Sequence, residues 1–109
     1  MPKPDSLQGS LDLLVLKILN RRSRLHGYAI MSAIQDMSGE VLRVEEGSLY
    51  PALQRMLIKG WLVGDWRKTR ENRRARYYRL TAAGRKQLEH ELAKYQRVAQ
   101  AIARVLQPA

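Results

Sequence analysis

The stretch GSLYPALQRM, residues 47–56, places a proline inside a pattern that is otherwise typical of a helix. A proline in a helix interior costs about 3 kcal/mol or more. Ser48 is a good N-cap residue, which would make Pro51 the third residue of the helix, where its missing N–H has no intrahelical partner to lose. The stretch therefore predicts a helix that begins at Ser48 and whose first turn is marked by Pro51. Its apolar face contains Leu49, Ala52, Leu53, Met56 and Leu57.

The opposite face of this helix carries a hydroxyl, an amide and a guanidinium group. Arginine can bind guanine through two hydrogen bonds, and glutamine can bind adenine in the same way, so this mixture suits a helix that reads the major groove. An ordinary amphipathic helix with a solvent-facing side would give the same pattern. The predicted DNA-facing residues are Ser48, Pro51, Gln54, Arg55 and Lys59, with Tyr50 at the border between the two faces.

Basic charge is concentrated in residues 67–80. The chain has 109 residues and a formal net charge of +10. Residues 67–80 contain seven basic side chains and one acidic side chain, whereas residues 1–66 contain eight and seven. A local excess of this kind indicates a polyanionic partner, with a solvated charged loop as the alternative. The side chains predicted to contact phosphates are Arg70, Arg73, Arg74 and Arg76.

The periodicity of the whole chain predicts four helices. Two precede the stretch quoted above, at about residues 7–22 and 27–38, and Gly39 is predicted to follow the second of them. Gly60 is predicted to end the third helix, and Thr81 is a good N-cap for a long fourth helix that runs to about Leu106.

Three segments read as strands. Residues 41–45 are rich in β-branched side chains, while residues 61–66 and 76–80 flank the basic segment and predict a hairpin with a turn near Glu71 and Asn72. We interpret Trp61 and Trp66 as core residues of a strand, with base stacking as the alternative.

Helices followed by a two-stranded hairpin are typical of the winged helix-turn-helix. The sequence therefore predicts a mainly α fold with a small β-hairpin (α+β). Residues 1–80 would form a winged helix-turn-helix DNA-binding domain, and residues 81–109 would form a C-terminal dimerisation helix.

The last helix carries an apolar seam at the heptad spacing of a coiled coil. A helix of this length, projecting beyond a small core, cannot bury the whole seam in its own chain, so a second copy is the predicted partner. Folding of the helix back onto its own domain is the alternative. The first helix carries an inner face that includes Leu7 and a second stripe (Gly9, Leu13, Leu16, Asn20), which we expect to meet the last helix of the partner. The predicted dimerisation residues are Leu13, Leu16, Leu88, Leu92, Tyr95, Ala99, Ile102 and Leu106.

The residue inventory argues against an enzyme, a metal site, a cofactor or a membrane span. There is no cysteine, and His26 and His90 lie far apart without an acid or a nucleophile at useful spacing. His26 is predicted to be a helix cap or a buried turn residue. The longest apolar run, LDLLVLKIL, is nine residues long and contains Asp12 and Lys17, so it is too short and too charged to cross a bilayer.

Four motifs in order resemble the PadR family of winged-helix transcriptional regulators: HGYAI (26–30), EEGSLYPALQRM (45–56), KGW (59–61) and YYRLTAAGR (77–85). The resemblance implies a bacterial or archaeal cytoplasmic repressor of the short type, homodimeric through its first and last helices, which binds a palindromic operator on double-stranded DNA. Tyr28 matches the HGY motif of the family, and Ser48, Tyr50 and Pro51 match the start of its recognition helix. Some short members bind small apolar or aromatic effectors at the dimer interface, but no pocket residues carry over to this chain.

The main alternative is an RNA- or ribosome-associated basic winged-helix module, because a basic hairpin suits any polyanion. An anionic membrane surface fits less well, since the hairpin lacks an apolar face for insertion. A pure protein-interaction adaptor would leave the basic segment unexplained.

Overall fold

The computed structural model describes the backbone of residues 4–108 and the side chains of residues 10–108. The predictions for the side chains of Leu7 and Gly9 lie outside the described residues. Seven elements follow one another along the chain: α1 (Pro4–Arg21), β1 (Leu25–His26), α2 (Gly27–Met37), α3 (Glu46–Ile58), β2 (Leu62–Lys68), β3 (Arg74–Leu80) and α4 (Ala82–Leu106). The predicted winged helix-turn-helix with a long last helix is therefore confirmed, with differences at the ends of α3 and in the sheet.

The core is built where the helical and alternating patterns of the sequence meet. Each fully buried leucine or isoleucine contributes roughly 1.5–3 kcal/mol through the hydrophobic effect. The helix α1 contacts α2, α3, β3 and α4, so it passes through the middle of the domain. Buried apolar side chains come from every helix and from the hairpin: Leu11, Val15, Leu16, Ile18, Leu19, Ile30, Ala33, Ile34, Leu49, Ala52, Leu53, Met56, Leu62, Tyr78, Leu80 and Leu88.

This central position of α1 corrects the prediction of a second, outward stripe. Leu16 is 0% exposed and belongs to the chain's own core, so it offers no surface to another subunit. Leu13 is half-buried and packs against the same core. A helix surrounded by its own domain needs more than one apolar stripe, which is the physical reason for the pattern.

The start of α3 differs from the prediction. Glu45, not Ser48, is the N-cap residue, and it makes no side-chain capping bond. The N–H groups of Ser48 and Leu49 both donate to the carbonyl oxygen of Glu45, at 3.0 and 2.9 Å, and so close the first turn earlier. Pro51 is then the sixth residue of the helix and leaves the carbonyl of Gly47 without its ladder bond. Gly47 and Pro51 are exposed, so water can hydrogen-bond to the carbonyl of Gly47 and reduce the free-energy cost of the missing bond.

The end of α3 is as predicted. Gly60 has a φ of +79°, in the left-handed region that glycine adopts without a steric penalty. Its N–H donates to the carbonyl of Leu57, and the N–H of Trp61 donates to that of Met56, each at 3.0 Å. This pair of bonds is the Schellman motif, which ends the helix and turns the chain into β2.

The junction between the wing and α4 is held by Thr81. Its side-chain oxygen accepts from the N–H of Gly84 at 3.0 Å, which confirms the predicted N-cap. Its hydroxyl also donates to the carbonyl of Gly60 at 2.7 Å. A side chain at Gly84 would overlap the carbonyl oxygen of Trp61, so glycine is required here by the close approach of the two segments.

The sheet has three antiparallel strands in the order β1-β3-β2, which differs from the prediction in two respects. Residues 41–45 form an irregular segment, because β-branched composition cannot make a strand without a neighbouring edge to pair with. The two-residue strand β1 was not predicted, since it is too short to show a periodicity. It pairs Leu25 with Tyr78 and His26 with Tyr77 on the open edge of β3.

Candidate nucleic-acid interface

The outer face of α3 is open along the whole helix. Ser48, Pro51, Gln54 and Lys59 are exposed, as the predicted reading face requires, and Ile58 is 76% exposed among them. The ammonium group of Lys59 lies 4.9 Å from the ring centre of Trp61, so a cation–π contact holds this side chain at the end of the helix. The open face thus offers a hydroxyl, an amide and an apolar side chain to a groove.

Arg55 departs from this arrangement. Its Nη2 atom lies 2.7 Å from Oδ1 of Asp12 on α1, in an ion pair whose side chains are 36% and 16% exposed respectively. The guanidinium group therefore faces α1, and a base contact by Arg55 would have to compete with this pair. The sequence did contain a signal for this ion pair: Asp12 lies in a mainly apolar run, and a carboxylate that is buried in such a run needs a partner.

Burial raises the pKa of Asp12 above its ordinary value of 3.8 and outweighs the attraction of Arg55, which lowers it. The nearby charge of Glu91 on α4 raises this pKa further, and that of Lys59 lowers it. Asp12 is thus influenced by charges on α3 and α4, and its ionisation is costly without Arg55.

The HGY motif fixes α2 against the start of α3. Nδ1 of His26 accepts from the N–H of Ala29 at 3.1 Å, which makes His26 the N-cap of α2. Gly27 is buried against the ring of Tyr50, and a Cβ at position 27 would overlap that ring. Tyr28 is 70% exposed beside this contact, and Tyr50 is 42% exposed. Tyr28 and Tyr50, which are predicted to contact DNA, therefore lie near the N-terminal ends of α2 and α3 respectively.

Burial raises the pKa of Tyr50, and the charge of Glu46 raises it further. The phenol of Tyr50 therefore stays protonated near neutral pH and can act as a hydrogen-bond donor.

The hairpin of β2 and β3 has two distinct faces. We call the face that continues the core side of the sheet the inner wing face. The register pairs Leu62 with Leu80, Gly64 with Tyr78, Trp66 with Arg76 and Lys68 with Arg74, so these eight residues share that face. The opposite face carries Val63, Asp65, Arg67, Ala75, Tyr77 and Arg79.

The predicted phosphate-contacting arginines occupy three environments. Arg70 and Arg73 are exposed at the hairpin tip, where Asn72 has a φ of +63° and its N–H donates to the carbonyl of Thr69 at 2.9 Å. This confirms the predicted turn. Arg74 is exposed on β3, and Arg76 is half-buried two residues further on. The strands extend further towards the tip than predicted, so Arg74 stands on a regular sheet and not in the loop, while Arg76 lies on its predicted strand.

The two tryptophans have different roles. Trp61 is half-buried and packs against the core, as predicted. Trp66 is 58% exposed, so its assignment to a strand core was wrong. It lies on the inner wing face beyond the end of the core, with the guanidinium carbon of Arg74 5.2 Å from its ring centre.

The apolar seam of α4 divides into a buried part and an exposed part. Leu88 is 5% exposed and belongs to the chain's own core, so its predicted role in dimerisation is corrected. Leu92 and Ala99 are both half-buried. Tyr95, Ile102 and Leu106 are 55%, 53% and 76% exposed, on a helix that extends beyond the core. This exposed part is an apolar stripe that the side chains of residues 10–108 leave uncovered.

An open cavity of about 720 Å³ lies between α1, the segment 41–45 and α4. Its walls are mainly apolar, and the side chains of Lys17, Arg43 and Glu45 lie among them. The lining includes Leu13, Leu14, Leu42, Val44, Leu92 and Tyr95.

Within the described part of the chain, no three histidine, aspartate or glutamate side chains lie close enough together to hold a metal ion. None of the described helices combines the length and the hydropathy that crossing a membrane would require.

Comparison with known proteins agrees with this architecture. Residues 15–90 match the model of the Transcriptional regulator PadR-like family. A transcriptional regulator from Clostridium thermocellum has the same fold, with a TM-score of 0.85 and 22% identity, over 98% of this chain and 100% of that one.

Two further structures share more of the sequence. A PadR-like transcriptional regulator from Bacillus cereus is 26% identical over 96% of this chain and 99% of its own, with a TM-score of 0.79. A PadR family transcriptional regulator from Eggerthella lenta is 27% identical over 95% of this chain and 88% of its own, also with a TM-score of 0.79. The family is one of transcriptional regulators and not of enzymes. The chain therefore belongs to the Transcriptional regulator PadR-like family.

Proposed function

We propose that this transcriptional regulator is a homodimeric repressor that binds a palindromic operator on double-stranded DNA in the bacterial cytoplasm. The observation that carries the proposal is the basic wing, whose strand β2 packs against α3 while the outer face of α3 stays open. Residues 67–80 hold seven basic side chains and one acidic side chain. In this arrangement α3 enters the major groove and the wing contacts phosphates and the minor groove.

The residues proposed to contact DNA follow from their exposure in the structure. Tyr28, Ser48, Tyr50, Pro51, Gln54 and Lys59 line the helical part of the surface, and Arg70, Arg73, Arg74 and Arg76 line the wing. Base edges are read by the polar groups of α3, and Gln54 is the residue best placed for this, since it is exposed in the middle of the helix. The arginines of the wing supply affinity that does not depend on the DNA sequence.

Dimerisation supplies the two-fold symmetry that a palindromic operator requires. The exposed stripe of α4 is apolar and would be covered by a second copy, together with Leu13 at the edge of α1. We accordingly assign residues 1–80 to DNA binding and residues 81–109 to dimerisation, with the first turns of α4 also packing on the core through Leu88. A dimer on an operator represses by occupying the site, which requires no catalytic group.

The cavity between α1, residues 41–45 and α4 is proposed as the place where a small apolar or aromatic effector would bind. Its volume of about 720 Å³ lies in the range of ligand pockets, and its lining is mainly apolar. Because it borders the exposed stripe of α4, a second subunit would help to enclose it.

The proposed function is tested by a shift assay with three nucleic acids of equal length: duplex DNA from upstream of its own gene, a scrambled duplex, and RNA. The operator duplex should be retarded at the lowest protein concentration, and the loss of affinity with added salt should be steep. A reporter gene placed behind that upstream DNA should be transcribed less when the protein is present.

Equal affinity for the three nucleic acids would contradict a sequence-specific regulator. Preference for RNA would support the alternative, an RNA- or ribosome-associated module, which the same basic wing could serve.

A further inference from the structure

The wing carries an aromatic side chain in an unusual position. Trp66 stands near the middle of β2 and is 58% exposed, although indole is among the side chains that gain most from burial. Arg74 lies over its ring at 5.2 Å, and Arg76 is directly opposite in the register of the two strands. The indole thus has two arginines of β3 beside it on the same face of the sheet.

Arg76 has hydrogen-bonding capacity that the described residues do not use. Its Nε atom is buried and has no acceptor among the described side and main chains. Gly64 leaves the space that this guanidinium occupies, because a Cβ at position 64 would lie 2.6 Å from that same atom. Because this atom is enclosed, a phosphate would be bound by the other N–H groups of the guanidinium, whose fork geometry matches it.

No acidic side chain shares the inner wing face. The two acids of the hairpin lie elsewhere: Asp65 is on the opposite face, where it is 3.8 Å from Arg24, and Glu71 is at the tip. The positive charge around Trp66 is therefore not neutralised within the wing. A polyanion would meet it without displacing an internal partner.

The same face leads directly to the start of α3. Tyr78, which follows Arg76 on this face, is buried, and burial raises its pKa while Arg76 lowers it and Tyr50 raises it. Tyr50 contacts Gly27 of α2, and β1, which ends just before Gly27, pairs Leu25 with Tyr78, so the base of the wing lies beside the start of α3. In the proposed function a duplex contacts both α3 and the wing, and Trp66 is the exposed aromatic side chain of the inner wing face.

We propose that Trp66 is a DNA-contacting residue that packs against the sugar–phosphate backbone and holds Arg74 in position for a phosphate. This rests on the proposed function. The ring fixes the guanidinium of Arg74, which then loses less conformational freedom on binding, and Arg76 adds positive charge beside the ring.

A duplex is the partner, and not a single strand. Non-specific binding of single strands uses several aromatic rings on which successive bases stack, in a charged groove. On the inner wing face the other aromatic side chain, Tyr78, is buried, so Trp66 offers one ring and no series.

The first test uses the fluorescence of Trp66. In a Trp61→Phe variant Trp66 is the one remaining tryptophan, and in the matched Trp66→Phe variant only Trp61 remains. Addition of a short duplex should change the emission of Trp66 and protect it from quenching by acrylamide, and its effect on the half-buried Trp61 should be smaller. If Trp61→Phe does not fold, the difference between wild type and Trp66→Phe gives the same signal.

The second test compares duplex affinity. Trp66→Leu should weaken binding by about five- to tenfold and reduce the salt slope by about one unit, as Arg74→Ala does, whereas Trp66→Phe should retain most of the affinity. Combining Trp66→Leu with Arg74→Ala should add little to either change alone, since both act through one contact.

The outcomes separate this inference from the proposed function. If the wild type retards no duplex, the proposed function itself fails. If the wild type binds duplex while Trp66 stays accessible and Trp66→Leu binds normally, only the inference is overturned. Protection of Trp66 by a single strand but not by a duplex would overturn the choice of partner.

Discussion

Replacing Arg55 with alanine should destabilise the fold more than it changes the DNA sequence that is preferred. The substitution removes the 2.7 Å contact to Asp12 and leaves that carboxylate largely buried on α1 without its counter-charge. Breaking a fully buried pair costs about 3–5 kcal/mol and an exposed pair about 0–1 kcal/mol. Because Arg55 is 36% exposed, we expect a loss of about 1–2 kcal/mol in the free energy of unfolding.

This loss should depend on pH in a defined direction. The pKa of Asp12 is already raised above 3.8 by burial, and removing Arg55 raises it further. A raised folded-state pKa contributes stability that is present below 3.8 and is lost as the pH rises through the folded-state value. The difference between Arg55→Ala and wild type should therefore be small near pH 3.8 and largest at neutral pH.

Urea unfolding at equal protein concentration measures this difference, and Arg85→Ala, an exposed arginine on α4, is the matched control. The control should lie within about 0.5 kcal/mol of wild type. The exchange of both charges, Asp12→Arg with Arg55→Asp, should recover part of the stability. If Arg55→Ala is as stable as wild type at neutral pH and prefers a different operator, then Arg55 reads a base and the pair with Asp12 is incidental.

Three further substitutions test the interface. Ile102→Glu should give monomers in sedimentation and leave the fold intact, because its side chain is 53% exposed in the single chain; an unchanged dimer would contradict the α4 interface. Gly27→Ala should cost about 1–3 kcal/mol in thermal unfolding, since the new methyl group overlaps the ring of Tyr50, and a neutral effect would show that Tyr50 can move. Arg74→Ala, on the inner wing face, should lower the salt slope of duplex binding by about one unit, whereas Arg79→Ala, on the opposite face of the wing, should leave it unchanged; equal slopes would contradict the assignment of faces.

The sequence predicts the elements that rest on a long periodic pattern. The four helices, the hairpin, the turn at Asn72 and the cap at Thr81 are found where apolar spacing and turn residues placed them. The start of α3 was missed because a capping preference contributes only about 1 kcal/mol. In the fold, the first turn closes instead on the carbonyl of Glu45, and Glu46 adds a favourable charge near the N-terminus of the helix.

Contacts between distant residues were not visible in any periodicity. Asp12 and Arg55 are 43 positions apart in the sequence. The position of Asp12 in a mainly apolar run was the one feature of the sequence that indicated such a pair. Leu16 was assigned to a dimer because it lies on a second apolar stripe of the first helix, and Leu88 because it fits the heptad seam of the last helix. Spacing of this kind does not tell which chain buries a side chain. The burial of both residues depends on α1 being enclosed by the rest of the domain.

The contact of Tyr50 with α2 and the pairing of β1 with β3 determine how the wing can bind. Tyr50 lies over Gly27 of α2, the strand β1 just before Gly27 pairs with Tyr78 of β3, and Thr81, which follows β3, connects it to the end of α3. The base of the wing is therefore fixed to the helix that would enter the groove, so Arg76 and Trp66 hold a set position relative to it. The tip arginines lie beyond this packing and are exposed. Groups held in place lose little entropy on binding, so the base of the wing should set the register of the duplex, while the tip adds charge whose contribution falls with salt.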